Sequence, residues 1–437
     1  MRPAEAQEGV NEIVVNGTPS HLSSFARHRI FVYLGILIVL LAFGAPSGGL
    51  IDIPISFLLK NKLHLQAHEV AAFRIVAAMP LYLSFVFGFA RDIWSPFGMG
   101  DRGLMLLFGS TSAALYVVFA FIPISYATLL IAVMMLTVSF LFVSGAQNGL
   151  TALIGQQHAM TGQVSAAWNI FLSLPTVGAL LAGGELSGLL EHEGADRAVR
   201  ILFLVGAAIM AAVALYSLWR PREVFDNVHA EHARGRSATE SLKRLARHRP
   251  IYPALLIWLL WNFAPGSTTP LQYHLQNALH ATDAQWGQWN AIFAASFIPT
   301  FIIYGFLCKR FALRPILFWG TVIAVPQMVP LLFIDSMTGA LIAAVPIGLM
   351  GGIATGAYLD LIIRSCPPGL QGTTLMLANS LYFAVTRFGD LLGTHLYDSY
   401  GSFSVCVLSI TIVYALILPA LLLVPKPLAA TADKDIA

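Results

Sequence analysis

The sequence predicts an all-α membrane protein in which twelve transmembrane helices form two six-helix bundles. Two observations lead to this prediction. Of the 437 residues, 57% are hydrophobic and only 11% are charged, which excludes an ordinary soluble enzyme. Apolar runs of about 20 residues, the length that crosses a bilayer as a helix, recur along nearly the whole chain. These runs are continuous, whereas a β-barrel would show alternating segments of about ten residues.

The first half begins with a charged tail, residues 1–29, which has no apolar segment of the kind found in signal peptides. Apolar runs bounded by charged residues, glycine or proline follow. Together they define a first bundle at residues 30–219. We place its six spans at residues 30–58, 69–90, 104–122, 127–153, 165–190 and 199–219.

The second half is separated from the first by a polar linker at residues 220–250. The linker carries eight Lys or Arg and four Asp or Glu, too many charges for burial in lipid. Six further runs define a second bundle at residues 251–424, and a short tail at residues 425–437 ends the chain. We place these spans at residues 252–276, 284–307, 315–334, 339–363, 372–396 and 402–424.

Positive charge is concentrated in loops on one side of the predicted spans. By the positive-inside rule this side is cytoplasmic, and both termini lie on it. We therefore expect a multi-pass protein of the plasma, or inner, membrane. The basic groups on this side are Arg91, Arg102, the linker, Lys309, Arg310, Arg314 and Arg364; Lys60, Lys62, Arg197 and Arg200 are exceptions on the other side.

A short charged loop, Gly88 to Gly103, separates the second and third apolar runs. Asp92 follows Gly88 by four residues, and Arg102 stands near the end of the loop. In the second half, Gly305-Phe-Leu-Cys-Lys-Arg occupies the corresponding place, with Lys309 where the first half has Asp92. Carriers built from repeated bundles show such internal similarity. Only the first loop can act as a carboxylate latch.

The Gly88 to Gly103 loop resembles the loop after the second span of the major facilitator superfamily. The resemblance implies that Asp92 caps and charge-pairs neighbouring helix ends and releases them when the carrier rocks. With Arg102 downstream, we expect a gating role for Asp92. The alternative is an ordinary loop charge that only marks the cytoplasmic border.

Further segments resemble the folate–biopterin transporter family of that superfamily. They are Phe57-Leu-Leu-Lys60, Pro80 early in span two, Pro96 within the loop, and Cys366-Pro-Pro-Gly-Leu-Gln-Gly-Thr-Thr374 before span eleven. Two features depart from the family pattern: Gln371 replaces the usual Glu, and the fourth span lacks carboxylates around Ser144 to Gly149. Muropeptide permeases share a similar loop after span two.

The resemblance implies a secondary transporter that moves a small organic solute, a folate- or pterin-like anion, by alternating access. A muropeptide or drug carrier of the same fold is one alternative. A receptor or lipid-handling membrane protein that does not transport is another, because fold does not fix function. Proton coupling or exchange would supply the energy, since the chain has no GxxxxGK[ST] phosphate loop.

No cofactor, metal or nucleic-acid partner is expected, and we expect a monomer in the lipid bilayer that is not an enzyme. The three cysteines, Cys308, Cys366 and Cys406, are too few and too scattered for a disulfide framework or a metal site.

Ionisable side chains inside spans need a partner or a polar cavity, because burying them in lipid costs a few kcal/mol. Arg387 and Asp390 are three residues apart, close enough to pair on one helix face. A structural ion pair and a functional role are both open for them. For Asp360 and Arg364, pairing at a helix end is favoured. The predicted coupling or gating residues are Asp92, Arg102, Asp52, Glu185, Asp390 and Asp360.

An anionic pterin-like cargo would need a cation, amide groups and an aromatic face. Arg387, near the middle of span eleven, is the predicted cation. The amides and aromatic rings predicted to accompany it are Asn262, Gln272, Tyr273, Trp289 and Asn379. For each ring, packing within the bundle or at the membrane interface is the alternative.

Overall fold

A computed structural model describes residues 23–47, 50–65, 67–191, 193–225 and 238–433. These residues form helices and connecting turns, with no β-strand among them. Most of the predicted N-terminal tail and the middle of the predicted linker lie outside the described residues. The side chain of Glu185 does too, although its backbone belongs to a helix.

The first half contains nine helices among the described residues. The long ones correspond to predicted spans, and several short ones interrupt the first two. They are α1 (Ser24–Gly44), α2 (Asp52–Phe57), α3 (Ala67–Ala77), α4 (Met79–Tyr82), α5 (Ser84–Ile93), α6 (Asp101–Ala120), α7 (Tyr126–Gln157), α8 (Thr161–Glu191) and α9 (Ala195–Tyr216). A π-helical segment, Leu58–Lys62, continues α2.

Two short helices, α10 (Arg222–Phe225) and α11 (Ala238–Arg247), belong to the linker. The second half then repeats the pattern of long helices, some of them divided. Its helices are α12 (Ile251–Asn262), α13 (Thr269–Ala278), α14 (Asp283–Arg310), α15 (Leu313–Ala324), α16 (Met337–Ser365), α17 (Gln371–Tyr400), α18 (Phe403–Ala415), α19 (Ile417–Ala420) and α20 (Lys426–Ala429). Short 3₁₀ segments follow α5, α15 and α19.

Eight helical stretches of the described chain are long and apolar enough to cross a membrane. They are Ser24–Gly44, Asp101–Ala120, Tyr126–Gln157, Asp196–Tyr216, Gln285–Arg310, Leu313–Phe333, Met337–Ser365 and Phe403–Leu423.

Five predicted spans are not single α-helices. Those at 315–334 and 402–424 continue through short helical segments, and three others are interrupted. The span predicted at residues 30–58 ends as a helix at Gly44, because Ala45 precedes Pro46 and adopts the extended backbone that this position favours. The span at 69–90 is interrupted at Ala78 and Leu83, on either side of Pro80, which has no N–H for a helical hydrogen bond. The span at 252–276 is interrupted between Asn262 and Thr269.

The two halves touch at one end and separate toward the other. Along α17, the face toward the first half is buried at Thr373, Met376 and Ser380, whereas Arg387, two turns beyond Ser380, is exposed. On α8, Ser165 is fully buried against Gly356 of α16. Two turns farther along, Leu172 is 42% exposed. The contacting end carries the Arg-rich and Lys-rich loops and is termed the basic end.

Candidate functional site

Asp92 connects the two halves at the basic end. It lies in the last turn of α5, and its carboxylate accepts hydrogen bonds from the backbone N–H groups of Gly372 (3.2 Å) and Thr373 (2.7 Å). The Thr373 hydroxyl donates a third, at 2.6 Å. These N–H groups belong to the first turn of α17, where a helix has unpaired donors and a partial positive charge. A carboxylate of the first half therefore caps a helix of the second.

Arg91 holds this carboxylate from the other side. Its guanidinium lies 2.7 Å from Asp92 and makes a bidentate pair with Asp101, at 2.6 and 2.7 Å. The side chains are 3%, 0% and 6% exposed, so the network is removed from water. Burial raises the pKa of Asp92, and Arg91 and Thr373 oppose that shift. Burial alone would lower the pKa of Arg91, but the Asp101 and Asp92 carboxylates raise it.

Glycines allow α5 and α17 to approach closely enough for this contact. A Cβ on Gly88 would lie 2.7 Å from the carbonyl carbon of Gly372, nearer than real Cβ atoms come to other atoms. A Cβ on Gly372 would lie 2.8 Å from Asp92 Oδ1. On α7, a Cβ at Gly149 would overlap the Arg91 guanidinium. The network therefore depends on three positions without side chains.

A pair of glutamines adds a second connection beside the carboxylate. Gln156, near the end of α7, donates from Nε2 to the carbonyl oxygens of Ile363 and Cys366, at 2.8 and 2.9 Å. Gln371 donates to Gln156 Oε1 at 2.9 Å. Gln371 supplies the N–H donor that a Glu at this position would lack.

Comparison with known proteins gives the same fold and a family. The sequence profile of the Major Facilitator Superfamily matches residues 175–389. A folate-biopterin transporter of Synechocystis sp. is 24% identical over 352 residues, covering 76% of this chain and 68% of that protein. Together these matches indicate a transporter of the major facilitator superfamily. The protein is a membrane transporter and not an enzyme.

Solved structures of superfamily members share the fold over nearly their whole length. The structure of the transporter FucP in the outward conformation aligns with this one over 91% of this chain and 98% of the FucP chain. The identity is 17% and the TM-score is 0.67. The human organic anion transporter MFSD10 (TETRAN) matches over 92% of this chain and 100% of its own, at 16% identity and a TM-score of 0.61. The predicted all-α membrane fold is therefore confirmed.

Arg102 lies apart from Asp92. Its guanidinium donates to the carbonyl oxygens of Ser217 and Leu218, both at 2.8 Å, at the end of α9. It therefore satisfies free carbonyl groups at a helix C-terminus. The ion pair with Asp92 comes from Arg91.

Asp360 is fully buried near the basic end of α16. It pairs with Arg364 at 2.9 Å and accepts a hydrogen bond from the Tyr304 hydroxyl at 2.8 Å. Of the predicted coupling residues toward the other end, Asp52 begins α2 and is half-buried.

Arg387 and Asp390 are on neighbouring faces of α17, and the ion pairs of the described residues do not include one between them. Asp390 instead accepts hydrogen bonds from Thr268 and Thr269, at 2.5 to 2.9 Å, and caps the start of α13. Arg387 is exposed on the face that, nearer the basic end, contacts the first half. The predicted cation therefore lies on the exposed continuation of the α17 face that contacts the first half.

The predicted polar and aromatic cargo ligands differ in their exposure. Asn262 and Gln272, both half-buried, lie on either side of the interruption between α12 and α13, and Tyr273 next to Gln272 is 52% exposed. Asn379 is half-buried, one residue before Ser380. Trp289 is 1% exposed and stacks between Trp286 and Phe293, so its ring is inside the second bundle in this conformation.

Sequence reasoning missed Asp101 and treated Arg91 only as a mark of orientation. A signal for Asp101 existed, since it is the first residue of a helix that directly follows the loop. Its pairing with a residue ten positions earlier depends on how the loop folds, through Pro96 and three residues with positive φ, at Phe97, Gly98 and Gly100. Spacing alone does not indicate this contact.

Proposed function

We propose that this protein is a secondary carrier that moves a small organic anion, of folate or pterin type, by alternating access. The conformation described here would be its outward-facing state, closed at the basic end, and Asp92 would be the latch that keeps it closed. Proton coupling or exchange would drive the cycle. The structural neighbour FucP from E. coli is named a fucose:proton symporter, which is consistent with proton coupling.

The observation that carries this proposal is the cap that Asp92 places on α17. A contact within one half would survive a rocking motion, but this one joins the halves and must break when the basic end opens. Its buried carboxylate would then need water in place of three hydrogen bonds. Charge-assisted hydrogen bonds contribute about 1.5–3 kcal/mol each, so the three together would strongly favour the closed state.

The proposed orientation follows from the positive-inside rule. The basic end carries the Lys and Arg loops and would face the cytoplasm, with both termini. The gap between the halves, lined by Arg387 and Leu172, would then open to the outside. Cargo would enter this gap while the latch is closed.

Arg387 supports an anionic cargo. It is a cation at mid-span that makes no ion pair with the described residues, and a charge at this depth points to a functional role. Asn379 is two turns closer to the basic end, and Tyr382, 39% exposed, offers a ring between them. The names of two relatives, a folate-biopterin transporter and an organic anion transporter, agree with this class of cargo.

The test is a thermal-shift screen of purified protein against folates, pterins, muropeptides, sugars and amino acids. A ligand at a hundredfold excess over its Kd stabilises the native state by about 2.7 kcal/mol. We expect folates or pterins to raise the melting temperature of the wild type and of Arg387→Lys. At the same ligand concentration the stabilisation should fall to about half or less in Arg387→Ala, with at least about a tenfold increase in Kd, because a charged hydrogen bond is removed.

Arg197→Ala is the matched control, since Arg197 is a 71% exposed cation of the first half that pairs with Glu193. It should bind ligand as the wild type does. If Arg387→Ala retained its affinity for the ligand, Arg387 would not be a residue that binds the cargo. Stabilisation by muropeptides or sugars, but not by folates or pterins, would overturn the proposed cargo.

A further inference from the structure

The C-terminal segment folds back onto the second half at the basic end. Leu428 and Ala429 of α20 are buried, and Arg364 donates to the Leu428 and Thr431 carbonyl oxygens at 3.4 and 2.8 Å. The backbone N–H of Asp433 donates to the carbonyl oxygen of Cys308, in the last turn of α14, at 2.8 Å. Asp433 is 4% exposed. The segment is therefore anchored to the ends of both α14 and α16.

The Asp433 carboxylate reaches across to the first half. It accepts hydrogen bonds from the backbone N–H groups of Gly162 (3.3 Å) and Gln163 (2.8 Å), in the first turn of α8. Arg364 binds the same carboxylate at 3.0 Å. A group attached to the second half therefore caps a helix of the first half.

This contact reproduces the geometry of Asp92 with the halves exchanged. Asp92 accepts from Gly372 at 3.2 Å and from Thr373 at 2.7 Å. In both sites one oxygen binds a glycine at the second helical position and the other binds the next residue, while an arginine holds the carboxylate from behind.

The two capped glycines are equally crowded. A Cβ on Gly162 would meet Cys308 Cβ at 2.6 Å, and a Cβ on Gly372 would meet Arg91 Cδ at 2.8 Å. Cys308 and Arg91 occupy corresponding places in the two repeats, each directly before the latch position. That position holds Asp92 in the first repeat and Lys309 in the second. Asp433, bonded to the Cys308 carbonyl, fills the place of the missing carboxylate.

We propose that Asp433 is a second gating carboxylate, supplied by the C-terminal segment because the loop after α14 has none, and that it leaves α8 whenever the basic end opens. This proposal rests on the carrier cycle proposed above. Asp433 acts by positioning α8 against the second half, and it does not contact the cargo.

The surroundings of Asp433 make its contact sensitive to pH. Burial, together with the Asp360 carboxylate, raises the pKa of Asp433 to about 7, although Arg364 and the α8 amides oppose the shift. A docked group with a raised pKa binds its proton more tightly than the undocked group. Docking is therefore favoured at low pH and weakens as the pH rises through about 7. Three other groups that face this region belong to α14: Tyr304, Cys308 and Lys309. Two belong to α1: Arg27 and His28 line a cavity together with Lys309 and Gln163.

The first readout uses the native thiol of Cys308, which is 1% exposed next to the docked segment. In a Cys366→Ser, Cys406→Ser background, we expect Asp433→Ala to raise the rate of Cys308 alkylation by a maleimide roughly tenfold or more, because charged hydrogen bonds are lost. Asp335→Ala, an exposed carboxylate near the opposite end, is the control and should leave the rate unchanged. Unchanged alkylation in Asp433→Ala would overturn the proposal.

The second readout separates a gate from a passive cover. In a background in which the three native cysteines are replaced by Ser, spin labels at Leu218→Cys and Phe311→Cys, both exposed near the basic end, report the distance between the halves. We expect the long-distance population to grow in Asp433→Ala and, in the wild type, between pH 6 and pH 8. Asp433→Asn, which keeps a hydrogen-bond acceptor but does not titrate, should lose the pH dependence. Faster alkylation with unchanged distances would show that the segment only covers Cys308.

Neither readout requires a cargo, so a blank ligand screen would not affect them. If Asp92→Asn lengthens the distance and Asp433→Ala does not, this proposal fails while the carrier cycle stands. If neither variant lengthens it, both proposals fail.

Discussion

At the scale of single residues, Gly88 is the position at which α5 and α17 meet backbone to backbone. The atoms nearest to a Cβ on Gly88 belong to the Gly372 peptide group, and backbone cannot rotate away as a flexible side chain can. The contact between the halves at the basic end therefore depends on the absence of one methyl group, four residues before Asp92.

We predict that Gly88→Ala shifts the carrier away from the closed state. Overpacking costs about 1–3 kcal/mol, and in the open state the added methyl group has no opposing backbone. The spin-label distance across the basic end should lengthen in this variant. Gly145→Ala is the control, because Gly145 of α7 also faces Gly88 but its Cβ would be no nearer than 3.5 Å to any atom. If the spin-label distance in Gly88→Ala were the same as in the wild type, closure of the basic end would not need this backbone contact.

The partners of Asp92 show which contacts the sequence alone does not predict. The gating prediction for Asp92 rested on a four-residue spacing and a family resemblance, both of which are local. Its partners are 280 and 281 positions away, at Gly372 and Thr373. The choice between Arg91 and Arg102 as its cation depends on which way each side chain leaves its helix. Arg102 turns toward the free carbonyl groups of α9, and only the packed structure places those groups there.

At the scale of elements, the interruption between α12 and α13 is held by one carboxylate. Ala264, Pro265 and Gly266 interrupt the helix, and Gly266 has a φ of +110°, which L side chains rarely adopt. The freed N–H at the start of α13 is capped by Asp390 from α17. Asp390 therefore ties the interrupted span to the helix that carries Arg387.

We predict that Asp390→Ala lowers stability by about 1–2 kcal/mol, the usual cost of losing a helix cap. It should also weaken binding of any ligand found in the screen, because α13 carries Gln272 and Tyr273. Thermal denaturation with and without ligand measures both effects. Asp398→Ala, an exposed carboxylate two turns farther along α17, should change neither. A loss of stability without a loss of affinity would confine Asp390 to a structural role.

The predicted spans agree with the observed helices where an apolar stretch is uniform, and they differ where single residues interrupt the helix within an apolar stretch. The uniform apolar stretches at α6, α7 and α16 begin and end within a few residues of the predicted spans. The interruptions at Ala45, Ala78 and Phe263 lie inside apolar runs, so hydropathy does not mark them. Proline could have indicated all three, yet proline also occurs inside the intact helices α8, α14 and α16. Neighbouring helices decide which prolines interrupt a span.

At the scale of the whole molecule, two carboxylates close the basic end from opposite sides. Asp92 projects from the first half onto α17, and Asp433 projects from the second half onto α8. They share no hydrogen-bond partner, since Asp92 pairs with Arg91 and Asp433 with Arg364. In the proposed cycle, motion that opens the basic end would break both contacts, and each would set part of the free energy of opening.

We predict that the effects of Asp92→Asn and Asp433→Ala on this free energy add, because independent sites are additive. If each removes about 1.5 kcal/mol, the equilibrium constant for opening rises about tenfold in each single variant and about a hundredfold in the double variant. Spin-label distance populations measure the three constants directly, and Asp335→Ala added to either variant provides the control. A double variant no more open than the more open single variant would contradict additivity. It would mean that the halves are held by one shared contact, to which Asp92 and Asp433 contribute only together.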